Sequence, residues 1–390
     1  MIATHKIKLY PTKGQEIYFR KACGVARFAY NWALNRWKER YKNGEKSSAY
    51  ILIKELTAIK RQKYPWMMDV TKSAPQYAIH NLEKAFKNFF KKQSKYPRFK
   101  KKGIKDSFVA VENNNKFKYK HKKIWIPKIG WVRCAENLRF DGKVYNVVIK
   151  RTADMWFAVV TIKTPNEAPP VSENQVTVGV DLGVKHMMIL SNGEKIDNLK
   201  PLNKRLRQLK RQQRKLSRRQ KSSNNKRKQR IKVARLHYKI NNIRQNAIHD
   251  ATKYLVDNFD RIVIEDLNNA GMVKNHNLAR QLNDVSFGEI RRQLAYKAYW
   301  YGKEVVIANR YFASTKICSS CGYKNTEITL STREWTCPKC LIHHDRDVNS
   351  AKNLAKYGST SEVEESNACG EDRLHDHKGR VVFDETRTNC

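Results

Sequence analysis

Two C-x-x-C pairs, Cys318-x2-Cys321 and Cys337-x2-Cys340, constrain this chain more than any other stretch. Fifteen residues separate the pairs. At that spacing each turn presents two sulfurs to one tetrahedral ion, with Gly322 easing the first turn. Four thiolates close the shell of zinc and leave no position for a catalytic water, so the expected metal is structural. His343 and His344 follow closely, but four thiols already complete the set. Cys23, Cys134, Cys369 and Cys390 are scattered. In a reducing compartment this usage favours metal over disulfides.

Two aspartates stand just beyond the second pair, in HHDRDVNSAKNL. Residues two apart on a helix point to nearly opposite sides, so Asp345 and Asp347 cannot both face one site. Asp347 shares a face with Ala351 and Leu354, the side expected to pack inward, and Asp345 fits an N-cap. Two further acids are oddly placed. Asp181 ends the first strand of a hairpin, VTVGVDLGVKHMMIL, and Glu265 ends the apolar strand RIVIEDL. A carboxylate there is costly to bury without a partner or a metal. Each has an ordinary reading: a turn residue for Asp181, an arginine partner for Glu265, an N-cap for Asp345. Taken together, a strand-end Asp, a later strand-end Glu and a final helix Asp are the arrangement of an RNase H-like nuclease. No serine nucleophile, cysteine–histidine dyad or P-loop competes. Hard carboxylate oxygens suit Mg²⁺, and two such ions can activate a water and stabilise the leaving oxygen of a phosphodiester.

Charge points to the substrate class. The chain has 390 residues and a net charge of +43, from 79 Lys+Arg against 36 Asp+Glu. Such a surplus repels itself unless a polyanion neutralises it, so nucleic acid is the expected partner. From Asn198 to His249 there are nineteen Lys or Arg and no acid. Leu202, Leu206 and Leu209, then Leu236, Ile240 and Ile243, keep helical spacing there, and Asn224–Asn225 reads as the turn between two long helices. Lys204, Arg205, Arg211, Arg214, Arg218 and Arg244 are the phosphate contacts expected from this segment. The start, MIATHKIKLYPTKGQEIYFRK, has no uninterrupted apolar core, so no signal peptide is expected. No window approaches a membrane span. A cytoplasmic or nucleoid-associated protein is expected.

The rest of the chain reads as several units. Residues 2–10 alternate as a strand, and 15–92 hold three helical patterns, with Phe19, Cys23, Ala26, Tyr30, Ala33, Leu34 and Trp37 on one stripe. Residues 107–163 carry short β-rich runs that suggest a small antiparallel barrel joined by the first strand. Lys72 and Gln76 open the third helix four residues apart and could read guanine and adenine edges. Tyr77, Phe86 and Phe90 read as core. A strand at 261–267, a helix at 286–301 and the strand EVVIANR lead into the cysteine module. The tail after Lys356 lacks periodicity and reads as disordered.

The order of blocks HKIKLYPTKGQ, HNLEKAFKNFFKK…YPRFKKKG, GVDLGVKH, ARLHYKINNIRQNAIHDATKYLV, IVIEDLN, CSSCG…WTCPKC and HDRDVNSAKNL resembles the TnpB family of transposon-encoded, RNA-guided DNA endonucleases, relatives of the type V CRISPR effectors. The resemblance implies a multidomain α+β fold. It implies a β-barrel wedge domain (1–14 and 93–170), a helical recognition domain (15–92), an RNase H-like RuvC nuclease domain (171–311 and 344–356), a zinc-binding insert (312–343) and a tail (357–390). It matches Asp181, Glu265 and Asp347 to the RuvC catalytic acids, with the D-x-N pattern Asp347-Val348-Asn349 favouring Asp347 over Asp345. It implies structural zinc, catalytic Mg²⁺ in two sites, a transposon-derived guide RNA, a double-stranded DNA target and a short target-adjacent motif read by the protein. The alternatives are an RNA-guided DNA-binding repressor and a transposase performing strand transfer itself. A repressor would be expected to lose one acid of the three, and this sequence keeps all of them.

Overall fold

The computed structural model describes residues 1–112, 117–165, 167–171, 176–329 and 331–359. The chain divides into two compact units, residues 1–167 and 168–390. Among the described residues no helix is long and apolar enough to cross a membrane.

In the first unit, β1 (Ile2–Tyr10) ends at Pro11, which cannot extend a ladder. Helix α1 (Lys13–Lys42) starts at once because Thr12 and Gln15 form a capping box. Thr12 Oγ1 accepts from the Gln15 amide at 3.3 Å, and Gln15 Oε1 accepts from the Thr12 amide at 3.1 Å. This satisfies two of the donors that a helix start leaves bare. Helices α2 (Ala49–Lys63) and α3 (Ser73–Phe90) follow, joined by a 3-10 turn at Pro65–Asp69. Strands β2 (Ser107–Glu112), β3 (Lys118–Lys120), β4 (Lys123–Ile126), β5 (Gly130–Cys134), β6 (Lys143–Thr152) and β7 (Met155–Lys163) complete a seven-stranded sheet with β1. Its order is β2-β6-β7-β1-β5-β4-β3, and every pairing is antiparallel. The first strand does join this sheet, as expected from the sequence. The helices share one core with it: Phe19 lies 5.1 Å from Trp156 and 5.9 Å from Phe108. Phe86 is core, stacked on Trp37 at 4.4 Å, and Tyr77 is half-buried. Phe90, expected inside, is 69% exposed at the helix end, where the stripe has rotated past the core.

The second unit is built on a mixed sheet, β10-β9-β8-β11-β12. Strands β8 (Thr177–Leu182), β9 (His186–Leu190) and β10 (Lys195–Asp197) form an antiparallel meander, and β11 (Arg261–Glu265) and β12 (Glu304–Ala308) add in parallel beside β8. The period of two sorts the side chains. Val178, Val180, Leu182, Ile262 and Ile264 pack on one face with Ile248, Ala251 and Leu255 of α5 (Asn224–Asn258) and Ile290 and Leu294 of α8 (Phe287–Tyr301). Gly179, Val263, Val306 and Ala308 lie on the opposite face, under α9 (Arg346–Ser359). Helix α9 runs through Ser359, so residues 357–359 of the supposed tail are helical; the rest of that expectation lies outside the described residues.

Helix α4 (Pro201–Ser217) and the outer half of α5 form a hairpin closed by a thin seam of Leu209, Val233, Leu236 and Ile240. The turn falls at 218–223, not at the Asn224–Asn225 pair. Ser223 caps α5 by accepting from the Lys226 amide, so both asparagines are already helical. Helices α6 (Asn269–Met272) and α7 (His276–Val285), and strands β13 (Glu334–Thr336) and β14 (His343–Asp345), have no counterpart in the sequence reading.

Candidate active site, zinc module and basic hairpin

Asp181 follows Gly179 by two residues and Glu265 follows Val263 by two, so both acids project from the face that α9 covers. The parallel register aligns Ile264 with Val180, which brings Glu265 beside Asp181 at the carboxyl ends of both strands. Helix α9 can lie close because β8 has no side chain at Gly179. A Cβ there would meet the Ala351 carbonyl oxygen at 1.9 Å. Gly358 allows the same approach against Val263, whose Cγ2 a Cβ would meet at 2.3 Å. Ala351 and Leu354 are fully buried against the sheet, as the helical face of Asp347 predicts.

The two aspartates of the opening turn divide as helix geometry requires. Asp345 Oδ1 accepts from the amides of Asp347 at 3.0 Å and Val348 at 3.2 Å, the positions a capping carboxylate reaches. Its other oxygen accepts from Lys195 Nζ at 2.7 Å. Burial pushes Asp345 up, but Lys195 and the two amides outweigh it and hold the carboxyl below its ordinary value. Asp347, in the first turn, meets Arg346 at 3.1 Å and Arg333 at 4.0 Å.

Asp181 experiences the convergence most strongly. Burial first, then the charges of Glu265, Asp347 and Asp345, push its carboxyl up to about 8, against the opposing pull of Arg346. A half-buried cluster of acids, with Asp181 itself pushed up by burial and by its neighbours' charges, suits a hard divalent cation. The residues therefore fit Mg²⁺, although the three carboxylates do not all lie within ligand distance of one another. Among the described residues only the four thiols form a set whose ligand atoms all lie within 4.8 Å.

Glu265 does not take an arginine. Its neighbour Asp266 does, accepting from Arg291 at 2.8 Å and Arg310 at 2.5 Å. Glu265 Oε1 instead accepts from Ser314 Oγ at 2.5 Å. Ser314 is buried, accepts in turn from Ser350 Oγ at 3.0 Å, and its carbonyl accepts from Asn353 at 2.7 Å. Sequence reasoning missed Ser314, which carries no motif of its own. It also missed Gly179, although a glycine inside V-x-V alternation marks a close backbone approach.

The four-cysteine module, a set that fits zinc, repeats one turn twice. Gly322 donates to the Cys318 carbonyl and Leu341 to the Cys337 carbonyl, each at 2.9 Å. Both receive φ in the left-handed region, +74° and +59°. Glycine adopts this freely, while Leu341 carries the steric cost because the turn demands it. The Sγ pairs Cys318–Cys340 and Cys321–Cys337 stand 3.6 and 3.5 Å apart. His344 is buried beside them, with Nε2 3.1 Å from Cys318 Sγ and the ring 5.0 Å from Trp335. His343 is exposed and pairs with Glu334.

Of the expected nucleic-acid contacts, Lys204, Arg211, Arg214 and Arg218 are exposed along α4, and Arg205 is half-buried. Arg244 is held by Asp284 instead. It donates to the carboxylate at 2.9 Å and to the carbonyl at 3.0 Å. The same carboxylate caps α4 by accepting from the Leu202 amide at 3.1 Å. Arg244 thus fixes the root of the hairpin and does not point from its surface. Lys72 is exposed and Gln76 half-buried at the start of α3.

Residues 157–276 match a family model described as "Probable transposase", residues 287–354 one described as "Cas12f1-like, TNB domain", and residues 1–46 one described as "Helix-turn-helix domain". The last name does not describe the geometry, where one strand precedes a single unbroken helix. Two relatives carry the name "Putative RNA-guided DNA endonuclease". One, from Streptomyces pristinaespiralis, is 33% identical over 94% of this chain and 90% of its own length. The other, InsQ of Escherichia coli K12, is 34% identical over 94% of this chain and 93% of its own. A shorter match, 34% identical over 143 residues, is "TnpB-like protein L79" of Acanthamoeba polyphaga mimivirus.

The chain belongs to the TnpB family.

A solved structure described as "Cryo-EM structure of the Cas12f1-sgRNA-target DNA complex" superposes with a TM-score of 0.57 at 16% identity, covering 87% of this chain and 83% of that one. At that identity the likeness concerns the fold, a multidomain α+β arrangement. The "Probable transposase" match spans Asp181, the basic hairpin and Glu265, and the TNB match spans the four cysteines and Asp347. All three acids of this TnpB family member therefore fall within matched segments.

Proposed function

We propose that the chain is an RNA-guided, Mg²⁺-dependent endonuclease that cuts double-stranded DNA beside a short target-adjacent motif. One observation carries the reading: Asp181, Glu265 and Asp347 converge from two parallel strand ends and a helix start, where burial first, and then the charges of its neighbours, pushes Asp181 up to about 8. The order of the mixed sheet supports an RNase H-like, RuvC-type domain over 171–311 and 344–356, with 312–343 as its zinc insert. In the same reading, 1–14 with 93–170 serve as wedge and 15–92 as recognition elements, with Lys72 and Gln76 facing the motif.

Asp181, Glu265 and Asp347 would hold the ions. Mg²⁺ bound there supplies Lewis-acid stabilisation of the phosphodiester and lowers the pKa of a bound water. The protein's part is placement. Adjacent strands fix Asp181 against Glu265, Ser314 orients Glu265, and the Asp345 cap sets the turn that presents Asp347. The exposed cations of α4 bind phosphate, consistent with relatives named for RNA guidance.

The test is purification with co-purifying RNA, sequencing of that RNA, and incubation with a matching DNA library and Mg²⁺. Cleavage is expected, and Asp181→Ala, Glu265→Ala or Asp347→Ala should each abolish it while sparing RNA binding. Asp345→Ala loses the cap, about 0.5–2 kcal/mol of stability, and the exposed pair with Lys195, and should still cut. Retained cutting by any of the first three variants removes that residue from the site.

A further inference from the structure

Helix α1 carries a glycine near its middle, Gly24, where glycine weakens a helix. Packing does not require it. Unlike Gly179, it has open space where a Cβ would go, with only Arg27 Nη2 within 4 Å, at 3.9 Å. Gly24 instead lines a cleft of about 630 Å³, within the ~300–1,000 Å³ of ordinary ligand sites.

The cleft is walled by Phe28 and Trp32 of α1 and by Tyr64 and Trp66. Phe28 meets Tyr64 at 4.8 Å and 64°, and Trp66 at 5.0 Å and 76°. These edge-on contacts stand the rings around the space instead of stacking them on each other. Trp66 remains 43% exposed.

Both rims are cationic. Asn31 lines the cleft and clamps the Lys100 backbone in both directions, at 3.0 and 2.8 Å. This ties the basic strap YPRFKKKGIK, residues 96–105, to one edge. On the other side α2 ends in Lys60, Arg61 and Lys63, immediately before Tyr64. Lys72 lies close enough to Lys60 to act on it as a like charge. An aromatic slot between two cationic rims suits a nucleotide, with the base against the rings and the phosphates on the rims.

We propose that this cleft is a nucleobase-binding site, taking one unpaired base of a single strand against Trp32, Tyr64 and Trp66, with the flanking phosphates on residues 98–105 and the end of α2. The inference rests on the proposed function only in that the chain handles nucleic acid; it does not need cleavage.

The test uses the full chain carrying Asp181→Ala, with single-stranded RNA and single-stranded DNA oligonucleotides that each contain 2-aminopurine. Stacking on the rings should quench the fluorescent base. Trp66→Ala and Gly24→Leu should restore the fluorescence and weaken binding roughly 5- to 100-fold, the effect of losing one base–aromatic stack. Gly24→Leu guards against misfolding as the explanation. Leucine favours the helix, so its melting temperature should match or exceed that of the parent while the slot is filled. Quenching with RNA alone assigns the base to a guide, and with DNA alone to a target or displaced strand; either supports the site. Fluorescence unquenched by both, or quenching unchanged in Gly24→Leu, overturns it. Cleavage by the unmodified chain without quenching refutes the cleft alone. Quenching without cleavage refutes the nuclease reading alone.

Discussion

Gly179→Ala is a one-methyl change that alters no carboxylate, yet it should disable the active site. A Cβ at this position would lie 1.9 Å from the Ala351 oxygen, 2.4 Å from the Ala355 nitrogen and 2.9 Å from Leu354 Cβ. The two nearest atoms are backbone, so no rotamer relieves the clash and α9 itself must lift from β8. Ordinary contact begins near 3.4 Å, which requires a shift of about 1.5 Å. Overpacking of this kind costs about 1–3 kcal/mol, or a melting temperature lower by about 2–12 °C for a unit of this size. The larger effect is on geometry. Helix α9 carries Asp347 and β8 carries Asp181, and a misplacement of about 1 Å can cost on the order of 100-fold in rate. Single-turnover cleavage of a labelled duplex should therefore fall by about 100-fold or more, while gel-shift affinity for RNA stays unchanged. Gly14→Ala is the control, because nothing lies within 4 Å of the Cβ it would add. If Gly179→Ala cuts within a few-fold of the parent, the close approach of α9 does not set the site and the argument fails.

Ser314→Ala removes the donor at 2.5 Å from Glu265. It should cost about 10–100-fold in activity or Mg²⁺ affinity, as loss of a ligand-orienting partner does, with zinc content unchanged; an unaltered Mg²⁺ titration would deny Ser314 this role. Stability without divalent ions should depend on Asp181. Its folded pKa, about 8, is raised above the ordinary 3.8, so the folded state binds the extra proton between those values. Its contribution is complete below the unfolded pKa and is lost as pH rises through about 8. In chelator, the melting temperature of the parent should fall toward pH 8 relative to Asp181→Asn, and parallel curves would contradict the raised pKa. Removing zinc, or Cys337→Ser, should unfold the module around Trp335, because metal binding supplies its folding energy; an intact melting curve with zinc absent by metal analysis would refute this.

The elements that bury a repeating face were legible in the sequence. Helix α1 has its stripe, β8 and β11 have apolar runs cut off by an acid, and the cysteines have ligand spacing. What escaped depends on tertiary partners. Helix α7 is short, and its buried Asp284 reads as a surface residue until Arg244 and the α4 amides arrive. Arg244 looked like another phosphate contact for the same reason. It lies in a run of nineteen cations, and only the fold shows which one meets an acid. That Asp345 caps the helix was legible because it turns on helical phase; the preference for Asp347 rests also on the D-x-N pattern. Ser314 was not, since its role is set by Glu265, 49 residues away in sequence.

Helix α9 explains why the four-cysteine cluster lies so close to the proposed catalytic acids. Asn349 donates to the Ile317 carbonyl at 2.7 Å and accepts from the Ser319 amide at 2.8 Å. Asn353 donates to the carbonyls of Ser314 and Ile317 at 2.7 and 2.6 Å, and Lys356 reaches the Ser319 carbonyl. These bonds grip the segment that enters the first cysteine turn. The chain returns from the second turn through β14 and the Asp345 cap into α9 itself. The module is therefore a covalent loop whose two ends are both fastened to one helix. That helix is pressed on the sheet through Gly179 and Gly358. A metal closing the loop would fix Ser314 against Glu265 and the α9 start against Asp181 in one step. A loop of this length without the metal would have to order itself on a core of little more than Ile328 and Trp335, too small to offset its conformational entropy. On the proposed function, zinc in the cysteine cluster would act on catalysis through geometry, by holding the helix start that carries Asp347.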